Sequence, residues 1–467
     1  MTKMSTRYTI LIFLFVVVFA HTCAFADPWP VPDGKISPKD RILILAPHPD
    51  DEVLGCAGII QKAVAMNVPV SIVFLTYGDM NEWSFLIYRK HFVLWPGAVK
   101  NMGQVRHDEA IAAAAVLGIS PSQLTFLGYP DFGTMRIWYR HWGPNRPPYR
   151  GVLTRVKAVP YKNALRPGAL YKGEEVVRDL ADVIGQFQPT KIFLSHPADH
   201  NGDHAALYLF TRVALWDLNF KKEPELFPYL THHAGWPQGK GLHMQETLDP
   251  PDDMGDQIAW RAFGLTPQEV NLKLEALKAH KSQYQSTPRY LISFIRSNEL
   301  FGDFPKVRFS GGSNPMLLSG KKSKATHKIP EELNEQERSS FIGIEQRSLR
   351  IEGEDLVVSI ELSRPLAEEV NASVYLFGYR RDQSFALMPK INVKLGVARY
   401  KVFDQNTLLP SDSIRVSRSL NEITIRIPLK TLGSPQKILT SARTYIGTIP
   451  LDWFSWRVVE LGADSKK

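Results

Sequence analysis

From Arg41 to about Phe309 the chain alternates unbroken apolar runs with segments of helical period, and this alternation restricts the fold more than any other feature. Ile42-Leu43-Ile44-Leu45 is apolar without interruption, the pattern of a parallel strand buried on both faces. Val70 to Thr76 reads as a second strand, Leu124 to Leu127 as a short third, and Ile192-Phe193-Leu194 as another. Between them, Gln104 to Leu117 is alanine-rich and stops at Gly118, a favoured residue just past a helix end. Glu174 to Phe187 carries Val176, Leu180 and Ile184 at helical spacing. Thr266-Pro267-Gln268-Glu269 opens a later helix with a capping box and a proline at the first helical position. Strand and helix in turn predict an α/β fold over residues 40–309, a doubly wound, mostly parallel sheet of Rossmann type.

Composition then shifts. Residues 310–344 are rich in Gly, Ser, Lys and Glu and read as a linker. Beyond it the period becomes two. Leu356, Val358, Ile360 and Leu362 alternate with other residues, as do Ile423, Ile425 and Ile427, which predicts a separate C-terminal β-sandwich over 345–467. That region holds no cluster of metal-ligating types, and its role reads as support or glycan binding. Two insertions, 80–102 and 132–170, concentrate aromatic residues, among them Trp83, Tyr88, Trp95, Trp138, Tyr139 and Trp142. Such stretches serve either as walls for sugar rings or as packing against a second domain.

The first residues have another logic. Lys3 and Arg7 precede an apolar run from Tyr8 to Ala20, and Ala24-Phe25-Ala26 follows. This pattern predicts a cleavable signal peptide over 1–26 and a periplasmic or secreted mature protein. The run falls short of the roughly 20 residues of a membrane span, and no span is expected after cleavage. Of two cysteines, removal of Cys23 leaves only Cys56, so no disulfide is expected within one chain. The net charge of +9 loses Lys3 and Arg7, 9 − 2, or about +7. The remaining Lys and Arg are scattered along the chain, without the aromatic-interleaved basic stripe of a nucleic-acid binder, and no nucleic-acid partner is expected. Nothing in these patterns sets an oligomeric state.

Chemistry concentrates at two strand ends. Ala46-Pro47-His48-Pro49-Asp50-Asp51-Glu52 follows the first apolar strand, where ligands bind in open α/β sheets. His48 and Asp51, three apart on a tight loop, are able to face one point, and imidazole with carboxylate is a ligand set for zinc. Asp50, between them, is left free to take a proton. The second strand end, Ser195-His196-Pro197-Ala198-Asp199-His200-Asn201-Gly202-Asp203-His204, holds three His and two Asp in nine residues, with Pro and Gly to bend the loop.

His-Pro-Asp-Asp-Glu after the first strand, with an Asp-His loop downstream, resembles the PIG-L/LmbE family of zinc de-N-acetylases. Leu75-Thr76-Tyr77-Gly78-Asp79, Arg106-x-x-Glu109, Phe126-Leu127-Gly128-Tyr129-Pro130-Asp131 and His280-x-Ser282-Gln283 add to the resemblance, which covers about residues 40–305. It implies Zn2+ held by His48, Asp51 and His204, with Asp50 as general base. Asn201-Gly202 stands where the family commonly has His-Pro, so the imidazole used near the scissile carbonyl is missing there. His200 is the candidate to supply it, with His196 as the alternative. His232-His233 is a further candidate segment, with His233 placed at the substrate. Arg106 with Glu109 reads as a structural ion pair or as a substrate contact, and Asp131 as lining the sugar site or forming a turn. Glu52 is expected to orient the first loop.

The resemblance thus implies an enzyme, a metal-dependent amidohydrolase removing N-acetyl groups from N-acetylglucosamine-type sugars of a glycan, glycolipid or glycoconjugate. The alternatives are a catalytically impaired glycan-binding protein, and an amidase acting on a different acylated amine.

Overall fold

The computed structural model describes residues 35–80, 95–254, 257–309, 314–320 and 333–462. The expected signal peptide, Trp83 and Tyr88 lie outside the described residues.

The alternating region forms one seven-stranded sheet with helices between its strands. Its strands are β1 (Ile42–Ala46), β2 (Val70–Thr76), β3 (Leu124–Tyr129), β4 (Lys191–Ser195), β5 (Glu225–Tyr229), β6 (Ala259–Gly264) and β7 (Asn298–Asp303). Their order is β3-β2-β1-β4-β5-β7-β6. The first five run parallel, and β7 and β6 close one edge antiparallel. Every residue of β1 is buried, as its unbroken apolar run requires. The helices that set the site are α1 (Asp51–Ala65), α2 (Pro96–Val116), α3 (Thr134–Arg140), α4 (Gly173–Phe187) and α5 (Gly202–Leu218). Gly55 is needed for the seating of α1: a Cβ there would meet the ring of Tyr229 at 2.7 Å. The Tyr229 hydroxyl in turn donates to the Leu45 carbonyl at 3.0 Å, tying β5 to β1.

The strands that follow are β8 (Val307–Phe309), β9 (Met316–Gly320), β10 (Ile344–Glu352), β11 (Asp355–Leu362), β12 (Val370–Tyr379) and β13 (Lys390–Leu395). After them come β14 (Tyr400–Asp404), β15 (Thr407–Leu408), β16 (Arg415–Ser419), β17 (Glu422–Pro428), β18 (Lys437–Ile446) and β19 (Ile449–Leu461). They build two sheets, ordered β16-β17-β11-β10-β9 and β15-β14-β13-β12-β18-β19-β8. Val358, Ile360 and Ile425 of one sheet and Val374, Leu376 and Val393 of the other share a core, so this is a β-sandwich. The stretch expected to be only a linker contributes β9, which pairs with β10 through Met316, Leu317, Ser319 and Gly320. Its Gly, Ser and Lys content masked a short edge strand, for which composition is a weak guide.

The two units share one apolar interface. Trp138 of α3 lies 5.6 Å from Phe377 and from Phe385, and 5.9 Å from Trp456 of β19. Tyr139 stacks on Tyr375 at 4.6 Å, and Trp142 meets Phe385 edge-on at 4.9 Å. Between the two roles open to these aromatics, the structure gives Trp138, Tyr139 and Trp142 to packing against the sandwich. Trp95 is 69% exposed.

Candidate active site

Strand order places the site. From β1 the chain crosses to β2 on one side, whereas β4 crosses to β5 on the other, so the loops after β1 and β4 diverge at a topological switch point. The first carries His48 to Asp51 and the second carries His196 to His204. Both open at the carboxyl ends of adjacent parallel strands.

The first loop is held in an unfavourable backbone shape. Asp50 has φ of 127°, a conformation costly for a residue with a Cβ. Its carbonyl accepts from Val53 and Leu54 at the start of α1, and its N–H donates to Glu52 Oε2 at 2.9 Å. Glu52 also contacts His280 Nε2 at 2.7 Å, tying the loop to the late His280 segment. Arg106 of α2 donates to the carbonyls of Pro49 and Gly78, at 2.5 and 2.8 Å, and stands 3.4 Å from Asp50 Oδ2. Gly78, at φ of 63°, leaves room for that guanidinium, which a Cβ would overlap.

The second loop is organised by Asp199. Its carboxylate accepts the backbone N–H groups of Asn201, Thr231 and His232 and the Thr231 hydroxyl, at 2.9 to 3.1 Å. Asn201 caps α5 by accepting from the Asp203 N–H at 2.9 Å, a favoured use of asparagine. That cap places His204 in the first turn, pointing back at β1.

Three atoms converge. His48 Nδ1 lies 3.2 Å from Asp51 Oδ2, His204 Nε2 lies 3.1 Å from the same oxygen, and the two nitrogens are 3.3 Å apart. Such edges suit a cation bonded at about 2.0–2.1 Å, for which a tetrahedral shell has edges of about 3.3 Å. The opposite ring nitrogens are both answered by carboxylates. His204 Nδ1 is 3.2 Å from Asp199, and His48 Nε2 is 3.1 Å from Asp131 and 3.3 Å from Asp203. An N–H given to those carboxylates leaves Nδ1 of His48 and Nε2 of His204 as lone pairs facing each other and Asp51, which is the ligand pattern of a metal site. Asp50, Asp51, Asp131, Asp199 and Asp203 are all at most 8% exposed, and His48, His204 and Arg106 are buried with them. So many buried acids call for positive charge, and the donor set fits a divalent cation.

Electrostatics separate the two adjacent aspartates. Burial pushes Asp50 up to about 6, against the pull of Arg106 and with Asp51 adding to the rise. Burial alone would also raise Asp51, but His204 and His48 outweigh it and hold that carboxyl well below the usual range.

Above these atoms lies a cavity of about 410 Å³. His48, Asp50, Asp51 and Asp131 line its polar side, and Leu54, Phe132, Tyr290 and Leu291 supply apolar wall. Convergent polar groups facing an apolar wall are the form of a small-ligand site.

Residues 43–215 match the family described as PIG-L: GlcNAc-PI de-N-acetylase. This segment is a PIG-L domain. The chain is 21% identical over 255 residues to the 1D-myo-inositol 2-acetamido-2-deoxy-alpha-D-glucopyranoside deacetylase of Corynebacterium glutamicum, a match covering 52% of this chain and 74% of that protein. Among solved structures, N,N'-diacetylchitobiose deacetylase from Pyrococcus horikoshii is 20% identical, with 56% of this chain and 82% of that one covered and a TM-score of 0.34. The A40926 pseudoaglycone deacetylase is 16% identical, with 56% and 96% covered and a TM-score of 0.35.

The PIG-L domain brings together only part of the expected set. His48, Asp50 and Asp51 line the cavity with Arg106 and Asp131, and the wholly buried His204 meets His48 and Asp51 behind them. Asp131 both accepts the Met80 N–H at 2.8 Å and faces His48. Arg106 and Glu109 do not pair: Glu109 instead accepts the N–H and hydroxyl of Ser282, at 2.9 and 2.6 Å. The candidate His200 is exposed, its ring edge-on to Trp453 at 4.5 Å, and it does not line the cavity. His196 is wholly buried against Trp260, with Nδ1 accepting the Ala198 N–H. His233 turns to Asp253 at 2.9 Å, outside the cavity lining. Its neighbour His232 lines the cavity, with Nδ1 3.2 Å from Asp199 and its ring 4.6 Å from that of His204. Asp199 and Asp203, counted in the loop but given no task from sequence, are the carboxylates behind the two imidazoles. Their placement two residues on either side of Asn201 was the available signal.

Proposed function

We propose that the chain is an exported hydrolase that removes the N-acetyl group from N-acetylglucosamine-type sugars of a glycan, glycolipid or glycoconjugate, using zinc held by His48, Asp51 and His204. A de-N-acetylase of this sugar class agrees with the PIG-L domain and with the deacetylase of an acetamido sugar that it resembles. The observation that carries the reading is the triangle of His48 Nδ1, Asp51 Oδ2 and His204 Nε2, 3.1 to 3.3 Å on a side, with Asp50 beside it in the cavity.

Bound zinc supplies Lewis-acid polarisation of an acyl carbonyl and acidifies water. The chain's own residues do the rest. Asp50, its carboxyl kept weakly acidic by burial, takes the proton of the attacking water and returns it to the departing amine. Arg106 keeps Asp50 in place through Pro49 and through its own contact with the carboxylate. His232, braced by Asp199, serves the oxyanion in place of the imidazole that Asn201 does not provide. Lys3, Arg7, the apolar run and Ala24-Phe25-Ala26 support export to the periplasm or beyond, and a mature N-terminus at Asp27 would test that step.

Asn201 favours a second reading, a glycan-binding protein with impaired catalysis. Acetate release from a panel of N-acetylated oligosaccharides and glycolipids, with and without chelator, separates the two. Chelator-sensitive acetate supports the enzyme. Retention on one glycan with no acetate from any supports the binding protein.

A further inference from the structure

The sandwich sheet that meets the PIG-L domain carries, beyond the contact, a band of cations that no carboxylate among the described residues answers. Register sets Lys401 of β14 opposite Lys394 of β13, and Lys394 opposite Ser373 of β12. Ser373 is opposite Arg443 of β18, and Arg443 opposite Trp453 of β19. Directly opposed residues in antiparallel strands share a face, so one row crosses five strands. It lies on the face that carries Tyr375, two residues along from Ser373. Ser373 is wholly buried beneath its longer neighbours. Arg140, the last residue of α3, joins from the other unit: with burial, the charges of Arg140, Arg443 and Lys401 push the Lys394 ammonium down.

Among the described residues, the charged and titratable neighbours of Lys394 and Arg443 are cations and tyrosines. The Arg443 Nε is buried without a hydrogen-bond partner. Aromatic faces lie among the charges. Lys394 Nζ is 5.0 Å from the Phe403 ring centre, and the Arg443 guanidinium is 5.6 and 5.2 Å from those of Tyr375 and Tyr445. Other cations of the protein are answered by carboxylates, Lys273 by Glu299 at 2.8 Å and Lys437 by Glu460 at 2.9 Å. Like charges gathered without counter-charge repel one another and favour an anion.

One end of the band approaches the cavity. Trp453, its end, stands edge-on to His200 at 4.5 Å, and the next residue after His200, Asn201, lines the cavity. We propose that this band holds the acidic groups of a glycan whose N-acetylated sugar occupies the cavity. Uronate, phosphate or sulfate groups meet Arg443, Lys394, Lys401 and Arg140, and sugar-ring faces lie on Trp453 and Tyr445. The occupant of the cavity rests on the deacetylase reading, while binding along the band is measured without it. The approach of its Trp453 end to the cavity favours a glycan over a lipid surface.

The test is calorimetric titration of the full chain with hyaluronan hexasaccharide, which alternates N-acetylglucosamine with glucuronate, and with uncharged chitohexaose. The acidic hexasaccharide is expected to bind about tenfold more tightly at low salt, with the difference shrinking as salt rises. Lys394→Gln with Lys401→Glu, the first half-buried and the second exposed, should abolish the preference in a chain with unchanged circular dichroism. Arg443→Gln should do the same. Equal affinity for the two hexasaccharides, no binding of either, or a preference that survives these substitutions would overturn the proposal. So would band-dependent binding of phosphatidylglycerol vesicles without binding of the acidic hexasaccharide. If the acidic hexasaccharide binds through the band but no N-acetylated sugar yields acetate, the band stands and the deacetylase reading fails.

Discussion

Asp199 faces two imidazoles at once, with its carboxylate oxygens 3.2 Å from His204 Nδ1 and 3.2 Å from His232 Nδ1. One side chain thereby fixes the tautomer of an expected ligand and the orientation of the imidazole that lines the cavity. Asp199→Asn should weaken metal binding by about ten- to a hundredfold, the usual loss when the partner behind a ligating histidine is removed. Metal titration followed by calorimetry measures it, and unchanged affinity would leave Asp199 a structural acceptor only.

The three exposed or half-exposed histidines near the site should behave differently. His232→Gln is expected to lower kcat by about a hundredfold with metal content retained, the range for loss of one oxyanion donor. His200→Gln and His233→Gln should stay within a few fold of the parent, because neither ring lines the cavity. Steady-state kinetics on the three variants decides among them. A large kcat loss in His200→Gln alone would return the role to that residue.

Trp138 joins the two units, so its removal should be felt by both. Trp138→Ala should cost about 3–5 kcal/mol, the range for truncating a large buried aromatic. Urea unfolding followed by tryptophan fluorescence reads the change. A loss under about 1 kcal/mol would mean that the interface contributes little to stability.

Stability should also carry a signature of Asp79. Burial, with the charge of Asp131, pushes its carboxyl up to about 7, and Tyr161 donates to it. The protonated form is therefore favoured in the folded chain. Between about pH 4 and pH 7 the unfolded chain holds less of this proton than the folded one, so stability falls as pH rises across that window, by up to about 1.4 kcal/mol per unit from this group. Asp79→Asn should remove that part of the slope. Parallel stability profiles for parent and variant across the window would show the group to be charged in the folded state.

Much of this architecture was readable along the chain, for reasons particular to each segment. Ile42 to Leu45 reads as an interior strand because a parallel strand buried on both faces has no polar alternation to confuse. Thr266 announces its helix because its side chain accepts the Glu269 N–H and Glu269 bonds back, a purely local device. His48 and Asp51 are three residues apart on one loop, and such spacing leaves a trace in sequence. The choice among His200, His232 and His233 leaves none. Each sits on an irregular segment, and only the fold shows that Asp199 and the ring of Tyr290 turn His232 inward while Asp253 draws His233 away. The cationic band is hidden for the same reason. Lys394, Lys401 and Arg443 look scattered in sequence, and strand register gathers them, with Arg140 added from the end of α3.

The central claim is that His48, Asp51 and His204 hold one cation. Elemental analysis of the purified full chain beside His204→Ala and Asp50→Ala tests it most directly. One divalent ion per chain is expected in the parent and in Asp50→Ala, and none in a folded His204→Ala. A His204→Ala chain that retained its metal in full would contradict the account.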